Sequence, residues 1–490
     1  MGKITGFLEY DRQTPEQRPV GERLNDFKEV YLPMDEQEII RQAARCMDCG
    51  VPFCHSGCPL GNLCPEWNDL VYRGQWRKAW ERLSATSNFP EFTGRLCPAL
   101  CEESCVLGIH EGPTAIETIE KAIIEHAFEN GWVLPQPPES RTGRRVAVVG
   151  SGPSGLAAAQ QLNRAGHDVT VFEKNEKPGG LLRYGIPDFK LEKWVIDRRL
   201  AVLAAEGITF VPQTDPSVET LKTFDAVVLA TGSGRPRDLP IPGRGLNGIH
   251  FALEFLQGQN RLLGENPDGT QEWGRINAKG KSVIVVGGGD TGSDCLGTAL
   301  RQGATEVHSF ELMPRPAEVR TEDQPWPFWP MKLRTSSSHT EGGDRFWSIL
   351  TKEFKGYNGR VRSLTTVNVE WTAPAAKGGR PQLREIPGTL QDWHTDLVFL
   401  ALGFLGPETD NVLARLGVDV DERGNVKTDK DYQTAVPGVF AAGDSHRGQS
   451  LIVWAVAEGR DCAAAVDAWL MGGDSRLPRR TGIELTQVKR

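Results

Sequence analysis

Residues 146–155, VAVVGSGPSG, restrict this chain more than any other stretch. Four small or β-branched apolar residues read as a buried strand. Gly150, Gly152 and Gly155 follow as G-x-G-x-x-G, and LAAAQQLNRAG at 156–166 has good helix formers and a closing glycine. Strand, glycine turn and helix make a dinucleotide site. The glycines allow a tight turn and close backbone approach, Pro153 and Ser154 stand among the contacting residues, and the helix N-terminus holds a pyrophosphate. Glu173 closes the next strand, DVTVFE, where a carboxylate accepts both ribose hydroxyls. The glycine motif alone is weak evidence; strand, helix and acid together make it specific.

The same pattern returns. KSVIVVGGGDTGSDCLGTAL at 281–300 gives a strand, then Gly287-x-Gly289-x-x-Gly292 with Asp290 and Thr291 inside the turn, then a helix. The next strand ends at Glu311. Residues 225–232 and 396–403 both read D-x-V-x-L-A-x-G, so the repeat reaches beyond the turns. Such a repeat marks an internal duplication of dinucleotide-binding folds. Around the first unit, Gly179, Gly180 and Leu181 bring backbone close to a ligand, and FDAVVLATGS ends a strand at Thr231 and Gly232. Near the end, Gly443 and Asp444 follow a strand, and a helix begins near Ser450 and Leu451. Asp444 can accept from a sugar or ribityl hydroxyl, and the helix N-terminus favours negative charge on a reduced ring. Residues 314–346, with PWPFWP and RTSSSH, form an aromatic, proline-rich insertion without periodicity, a surface loop or a partner contact.

Eight of the ten cysteines lie between Cys46 and Cys105. A disulfide scaffold belongs to a small exported protein. This chain has 490 residues, room for about three domains, and no secretory signal. Metal or cluster ligation is therefore the better reading. The spacing is Cys46-x2-Cys49-x4-Cys54-x3-Cys58, then Cys97-x3-Cys101-x3-Cys105. A four-iron cluster takes four thiolates and a structural zinc also takes four ligands, so iron–sulfur leads, with zinc and unliganded thiols as alternatives. Seven thiols leave two four-ligand sites one donor short. Pro59 after Cys58 and Pro98 after Cys97 resemble the Cys-Pro pairs of ferredoxins. Cys64 fits no spacing and reads as a buried small hydrophobe, and His55 as a loop residue. Residues 34–46 and 116–132 read as helices, the latter with Ile116, Ile119, Ile123 and Ile124 at helical spacing, and the three prolines of 134–145 as a linker. No run of 18 apolar residues exists, so no membrane span is expected. Gly6 stands where a myristoylation signal needs Ser or Thr. A net charge of -8 gives no footprint for nucleic acid. A cytoplasmic location follows, and the charged tail, 472–490, is expected to be mobile.

MGKITGFLEY, CMDCGVPFCHSGCPLGN, VVGSGPSGLAAA, GGLLRYGIPDFKL, VVGGGDTGSDC and AAGDSHRGQSLIVWAVAEGR stand in this order. In them the chain resembles the small (β) subunit of glutamate synthase, to about residue 470. More loosely, it is similar to the electron-input half of dihydropyrimidine dehydrogenase and to adrenodoxin reductase. The resemblance implies an α/β protein: an FAD domain with an inserted NAD(P)H domain, both Rossmann-type, behind a helical iron–sulfur domain. The expected extents are 1–143 for the iron–sulfur domain, 144–278 and 404–490 for the FAD domain, and 279–403 for the NAD(P)H domain. It implies FAD, NADPH or NADH, and two 4Fe-4S clusters. Cys46, Cys49, Cys54 and Cys105 would hold one cluster; Cys58, Cys97, Cys101 and the oxygen of Glu120 the other. The family often spaces the first two cysteines of the second batch more widely than the three residues here. The activity implied is oxidation of NAD(P)H at FAD, with electrons leaving through the clusters to the FMN of a large (α) subunit, where glutamate forms from 2-oxoglutarate and glutamine. No side chain of this chain is itself assigned a catalytic role. A stand-alone NAD(P)H:acceptor oxidoreductase is the alternative. Glu311 favours NADH by repelling a 2'-phosphate, while Arg315 and Arg320 offer that phosphate charge-assisted partners.

Overall fold

In the computed structural model, residues 2–264, 276–372, 381–408 and 411–480 are described. The helical segment comes first. Asp35 caps α1 (Glu36–Ala44), its carboxylate accepting the N–H groups of Gln37 and Glu38 at 2.9 and 3.4 Å. These donors would otherwise lack partners inside the helix. α2 (Cys64–Tyr72), α3 (Trp76–Ser84), α4 (Pro90–Leu96) and α5 (Ile116–Glu129) follow. Ile116, Ile119 and Ile123 point into one core with Ile39, Trp67, Val71, Trp76 and Leu83.

In the first α/β unit, β1 (Arg145–Val149) leads through the glycine turn into α6 (Pro153–Arg164), and β2 (Asp168–Phe172) pairs parallel to β1. α7 (Lys193–Ala205), β3 (Thr209–Val211) and β4 (Ala226–Leu229) complete this half. The chain then leaves through β5 (Ile249–Phe251) and α8 (Ala252–Gly264) for the second turn, between β6 (Ser282–Val286) and α9 (Asp290–Arg301). β7 (Glu306–Glu311), α10 (Ser337–Glu341) and β8 (Asp344–Trp347) follow. β9 (Ile349–Tyr357), β10 (Arg360–Thr372), β11 (Gln382–Glu385) and β12 (Gln391–His394) form an antiparallel sheet. β13 (Leu397–Leu400) closes the second unit, and β14 (Val439–Ala441) returns to the first, ahead of α11 (Ile452–Met471). The two parallel sheets have the orders β14-β4-β1-β2-β3 and β5-β13-β6-β7-β8. The second unit is thus inserted in the first. Its two crossovers lie side by side, joined by a bridge between Pro236 and Phe404 and by hydrogen bonds from Arg235 N–H to Gly406 O (3.1 Å) and Leu405 N–H to Arg235 O (2.8 Å).

Two expectations change. Residues 249–264 were expected in the first unit, but β5 pairs with β13, and Ala252, Phe255 and Leu256 pack in the core of the second unit. Its strand must start there because β13 has an open edge to fill. Of the charged tail, residues 472–480 are pinned rather than loose. Leu477 packs on the first core, Ser475 bonds to Asp467, and Arg480 pairs with Asp461. Met1 and residues 481–490 lie outside the described residues. The antiparallel sheet had no counterpart in the sequence reading. Among the described residues no helix is long and apolar enough to cross a membrane.

The helical segment is joined to the first unit through a shared core. Leu60, Phe89, Phe92 and Leu100 pack with Val146, Leu156 and Val195. Buried polar groups fix the fit: Asn88 Nδ2 donates to Gln160 Oε1 at 2.7 Å, and Arg199 of α7 clasps Glu91 of α4, both side chains being at most 3% exposed. Removing one partner of such a pair leaves a buried charge uncompensated. Glu91→Ala should lower stability by about 3 kcal/mol or more, read as an earlier urea midpoint by tryptophan fluorescence. Glu91→Leu combined with Arg199→Met should recover much of that loss.

Candidate functional site

Both glycine turns are built alike. Gly150 has φ +103° and Gly287 φ +120°, and a Cβ on either would collide with the carbonyl oxygen of Ala230 or Ala401. Only glycine permits that backbone at that distance. Gly150 N–H donates to Phe172 O, and Gly287 N–H to Phe310 O, both at 2.8 Å. Over Gly152 and over Gly289 the space is open, leaving each helix N-terminus accessible to an anion.

In the first turn Glu173 is 4% exposed and accepts from Ser151 N–H (3.2 Å), the Ser151 hydroxyl and Asn175 N–H (2.9 Å). Ser151 Oγ also accepts from Gly179 N–H at 2.9 Å. That places Gly180 against Gly152, where a Cβ would stand 2.8 Å from the Gly152 Cα, and starts the short helix Leu181–Tyr184 beside the turn. Ser154 Oγ and Thr231 Oγ1 are buried without a hydrogen-bond partner, and Gly232 follows with open space above it. Gly443 packs on Ser154, its N–H donating to Glu458 Oε2 at 3.0 Å. Asp444 accepts from Ser450 Oγ at 2.9 Å, and burial pushes its pKa up to about 6. Leu451 is the N-cap of α11. Open ground over Gly152, two orphaned hydroxyls and a helix N-terminus fit a bound dinucleotide such as FAD. Glu458 was not singled out in the sequence. Burial pushes its pKa upward, but His446 and Arg447 hold it below the usual range. A mid-helix glutamate carries no spacing signal.

In the second turn Glu311 Oε2 accepts Gly288 N–H at 2.8 Å and Oε1 accepts Met313 N–H at 2.9 Å. The carboxylate therefore faces the turn. Asp290 and Thr291 open α9. Arg315 is surface-exposed and paired with Glu318. Arg320, expected beside the nucleotide, is instead spent on three main-chain carbonyls: Phe328 (2.5 Å), Gln324 (3.2 Å) and Glu103 (3.1 Å). The insertion it belongs to packs on the helical segment. Trp326 meets Phe53 with ring centroids 4.5 Å apart, and Ser104 Oγ donates to Pro327 O at 2.9 Å.

The cysteines fall into two sets. Cys46, Cys49, Cys54 and Cys105 line one pocket, together with Cys64. Cys58, Cys97 and Cys101 lie near one another and near Glu120; burial pushes the Cys58 and Cys97 pKa values up, and the charges of Cys101 and Glu120, with Glu117 for Cys97, add to the push. Glu120 is 5% exposed, accepts from Thr93 Oγ1 at 2.6 Å, and is pushed by burial to about 7. Burial pushes Cys46 up to about 12. Four thiols lining one pocket are the donor set that a four-iron cluster takes. Cys64 is 1% exposed and touches Cys54 of one set and Cys101 of the other. Nothing in the spacing announces that position.

Comparison with known proteins gives the family of each part. Residues 23–132 match the family described as dihydropyrimidine dehydrogenase domain II, 4Fe-4S cluster, and residues 144–329 and 346–459 match the pyridine nucleotide-disulphide oxidoreductases. The glutamate synthase [NADPH] small chain of Mycobacterium tuberculosis (strain ATCC 25618 / H37Rv) is 56% identical over 481 residues, covering 96% of this chain and 97% of that one. Glutamate synthase [NADH] of Schizosaccharomyces pombe is 50% identical over 505 residues, covering 98% of this chain but 24% of that protein. Among solved structures, M. tuberculosis FprA in complex with NADPH superposes with a TM-score of 0.54 at 18% identity, covering 67% of this chain and 85% of that one. That likeness concerns the fold.

Two outcomes test the geometry. Gly152→Val should yield folded protein with little bound flavin, because a branched side chain would fill the open ground over the turn; flavin release on denaturation reads it. Cys49→Ala should lose a large part of the iron, about half or more, if the four thiols of its set hold a cluster, whereas Cys64→Ala should keep it all. Equal iron loss in the two variants would contradict the division into sets.

Proposed function

The chain belongs to the glutamate synthase small-chain family, and from that premise we propose that it is the electron-input subunit of a glutamate synthase. It is an NAD(P)H-dependent oxidoreductase. The finer reading is that a reduced nicotinamide bound at 287–292 gives its hydride to FAD bound at 150–155, and that electrons leave singly through two four-iron clusters. The cofactors supply the reactivity; the chain supplies position and electrostatics. Gly150, Gly152, Gly155, Glu173, Gly180, Thr231, Gly443 and Asp444 are its FAD contacts. Gly287, Gly289, Asp290, Gly292 and Glu311 are its nicotinamide contacts.

One observation carries the path. Cys97 packs against the core that contains β1 and α6 and Cys58 touches both that core and the one of the helical segment, whereas Cys54, like Cys101, lies in the helical core and no member of the set Cys46, Cys49, Cys54 and Cys105 reaches the first-unit core. The set Cys58, Cys97, Cys101 and Glu120 therefore receives electrons from the flavin side, and the set Cys46, Cys49, Cys54 and Cys105 passes them on. Their destination is a large partner subunit that forms glutamate. Supporting this, the S. pombe relative has the matching region within a chain of which it makes up 24%; a separate small chain needs the remainder as a partner. The purified chain should reduce ferricyanide with NADH or NADPH yet form no glutamate from 2-oxoglutarate and glutamine until the large subunit is added. Glutamate formed by this chain alone, or no glutamate after addition, would overturn the reading.

The nicotinamide preference follows from Glu311. A carboxylate facing the turn accepts ribose hydroxyls and repels a 2'-phosphate. Glu311→Ala should shift the ratio of kcat/KM for NADPH over NADH upward by about tenfold, the equivalent of one unfavourable charge contact. Arg320→Ala should leave that ratio unchanged, because its guanidinium is held on backbone carbonyls. Loss of an NADPH preference in Arg320→Ala would mean that the arginine reads the phosphate.

A further inference from the structure

Between the short helix Leu181–Tyr184 and α7, the first unit extends a loop, residues 186–191, into the side of α9. Phe189 is 1% exposed. Its ring fills a notch at Gly297, where a Cβ would stand 3.0 Å from the ring's Cζ and would also collide with Ser338 of α10. The guanidinium of Arg301 lies over the same ring, 3.9 Å from its centroid. Arg301 is in turn held by Glu341 (2.9 Å), which also pairs with Arg23 at 3.2 Å, and all three side chains are buried. From the other side, Val30 N–H donates to Phe189 O at 3.1 Å. The neighbouring Lys190 reaches Asp294 of α9 at 2.5 Å, one helical turn beyond Asp290 at the nucleotide-facing end.

The loop is also tied at several further points. Lys193 Nζ donates to Ile186 O (2.7 Å) and Leu191 O (2.9 Å) and pairs with Asp188 at 3.0 Å. Asn260 of α8, in the second unit, donates to Tyr184 O and Ile186 O at 3.0 and 3.1 Å. Two α/β units linked by crossovers would by default move relative to each other. Here a ring in a glycine notch and an ion pair oppose that motion, and both engage the helix that begins at the second glycine turn.

We propose that Phe189 and Lys190 are positioning residues for hydride transfer: they key α9, and with it the bound nicotinamide, onto the flavin-binding unit in one fixed orientation. The proposal rests on the NAD(P)H-to-FAD reading above. Hydride transfer needs the reacting atoms at about 3–3.5 Å, and a misplacement of about 1 Å costs on the order of a hundredfold. A latch at α9 therefore acts on the transfer step and leaves dinucleotide affinity to the glycine turn and Glu311.

The test uses flavin-loaded full-length protein with Lys190→Ala, Lys190→Arg and Phe189→Leu. Three quantities are measured: the rate of flavin reduction by NADH and NADPH in stopped flow, the Kd of NAD+ and NADP+ by calorimetry, and amide exchange over 186–191 and 290–301. Lys190→Ala and Phe189→Leu should slow flavin reduction by about tenfold or more, leave Kd within about twofold, and speed exchange in both segments. Lys190→Arg should restore most of the rate. Flavin reduction within twofold of wild type in Lys190→Ala, or a rate loss matched by an equal loss of affinity, would overturn the latch. A wild-type flavin that neither nicotinamide reduces would instead overturn the functional reading, while exchange in the two segments would still report on the latch.

Discussion

The structure depends on one backbone contact made twice. At the end of β1 a glycine N–H pairs with β2, and its α-carbon lies against the carbonyl at the end of β4; β6, β7 and β13 repeat this. At the opposite end of each sheet an aspartate does the reciprocal work. Asp225 accepts Arg145 N–H at 2.7 Å and Asp396 accepts Ser282 N–H at 3.2 Å, while their own N–H groups donate back to residues 145 and 282. Each central strand is therefore locked at both ends. Everything a ligand meets, from the turn to the helix N-terminus and the acid on the second strand, is placed by that lock. The repeated D-x-V-x-L-A-x-G is its sequence trace: the aspartate closes one end, and the alanine carbonyl excludes every side chain but hydrogen at the other.

Much of this was legible because it rests on local chemistry. A positive φ beside a carbonyl demands glycine, and glycine at fixed offsets is readable in a string of letters. The cysteine sets were legible in part, since thiol spacing shows which residues are candidates but not which of them meet. The placement of Cys105 with Cys46, Cys49 and Cys54, rather than with Cys97 and Cys101, came from the family resemblance; spacing alone does not give it. What stayed hidden is long-range. β5 reads as a short apolar stretch after a crossover, and only the open edge of β13 decides which sheet it joins. Arg320 follows a nucleotide-binding strand closely enough to suggest a phosphate ligand, yet its partners are three carbonyls and the Glu103 carboxylate, brought near by the folding of a proline-rich loop. The tail looked loose because charge was all it showed; Asp461 and Asp467 on α11, which hold Arg480 and Ser475, are invisible as partners until the helix is placed.

The joints between the parts share a design. Helical segment and first unit meet through Glu91–Arg199 and through Asn88, which also accepts from Arg460 of α11. First and second units meet through Lys190–Asp294, and the N-terminal segment joins the second unit through Arg23–Glu341–Arg301. Buried ion pairs of this kind add little net stability compared with apolar contacts of the same volume, but each is satisfied in one arrangement only. They select geometry more than they supply energy. For a chain whose task is to hold redox groups at set distances, that is the more useful property.

The insertion completes the argument. Glu103 lies between Cys101 and Cys105, and three cations of the insertion converge on it: Lys332 at 2.5 Å, Arg320 and Arg334 at 3.5 Å. Arg334 stacks on Trp329, and Asp290 at the start of α9 also acts on its charge. A segment that belongs in sequence to the second unit thus covers the turn between two cysteines of the helical segment. With the joint at Phe189, the second unit is held from both sides, by the flavin-binding unit and by the cysteine-bearing segment. These contacts tie each of the three parts to the other two. The spacing of the two glycine turns and the cysteine sets is then tied to the same contacts that fold the chain.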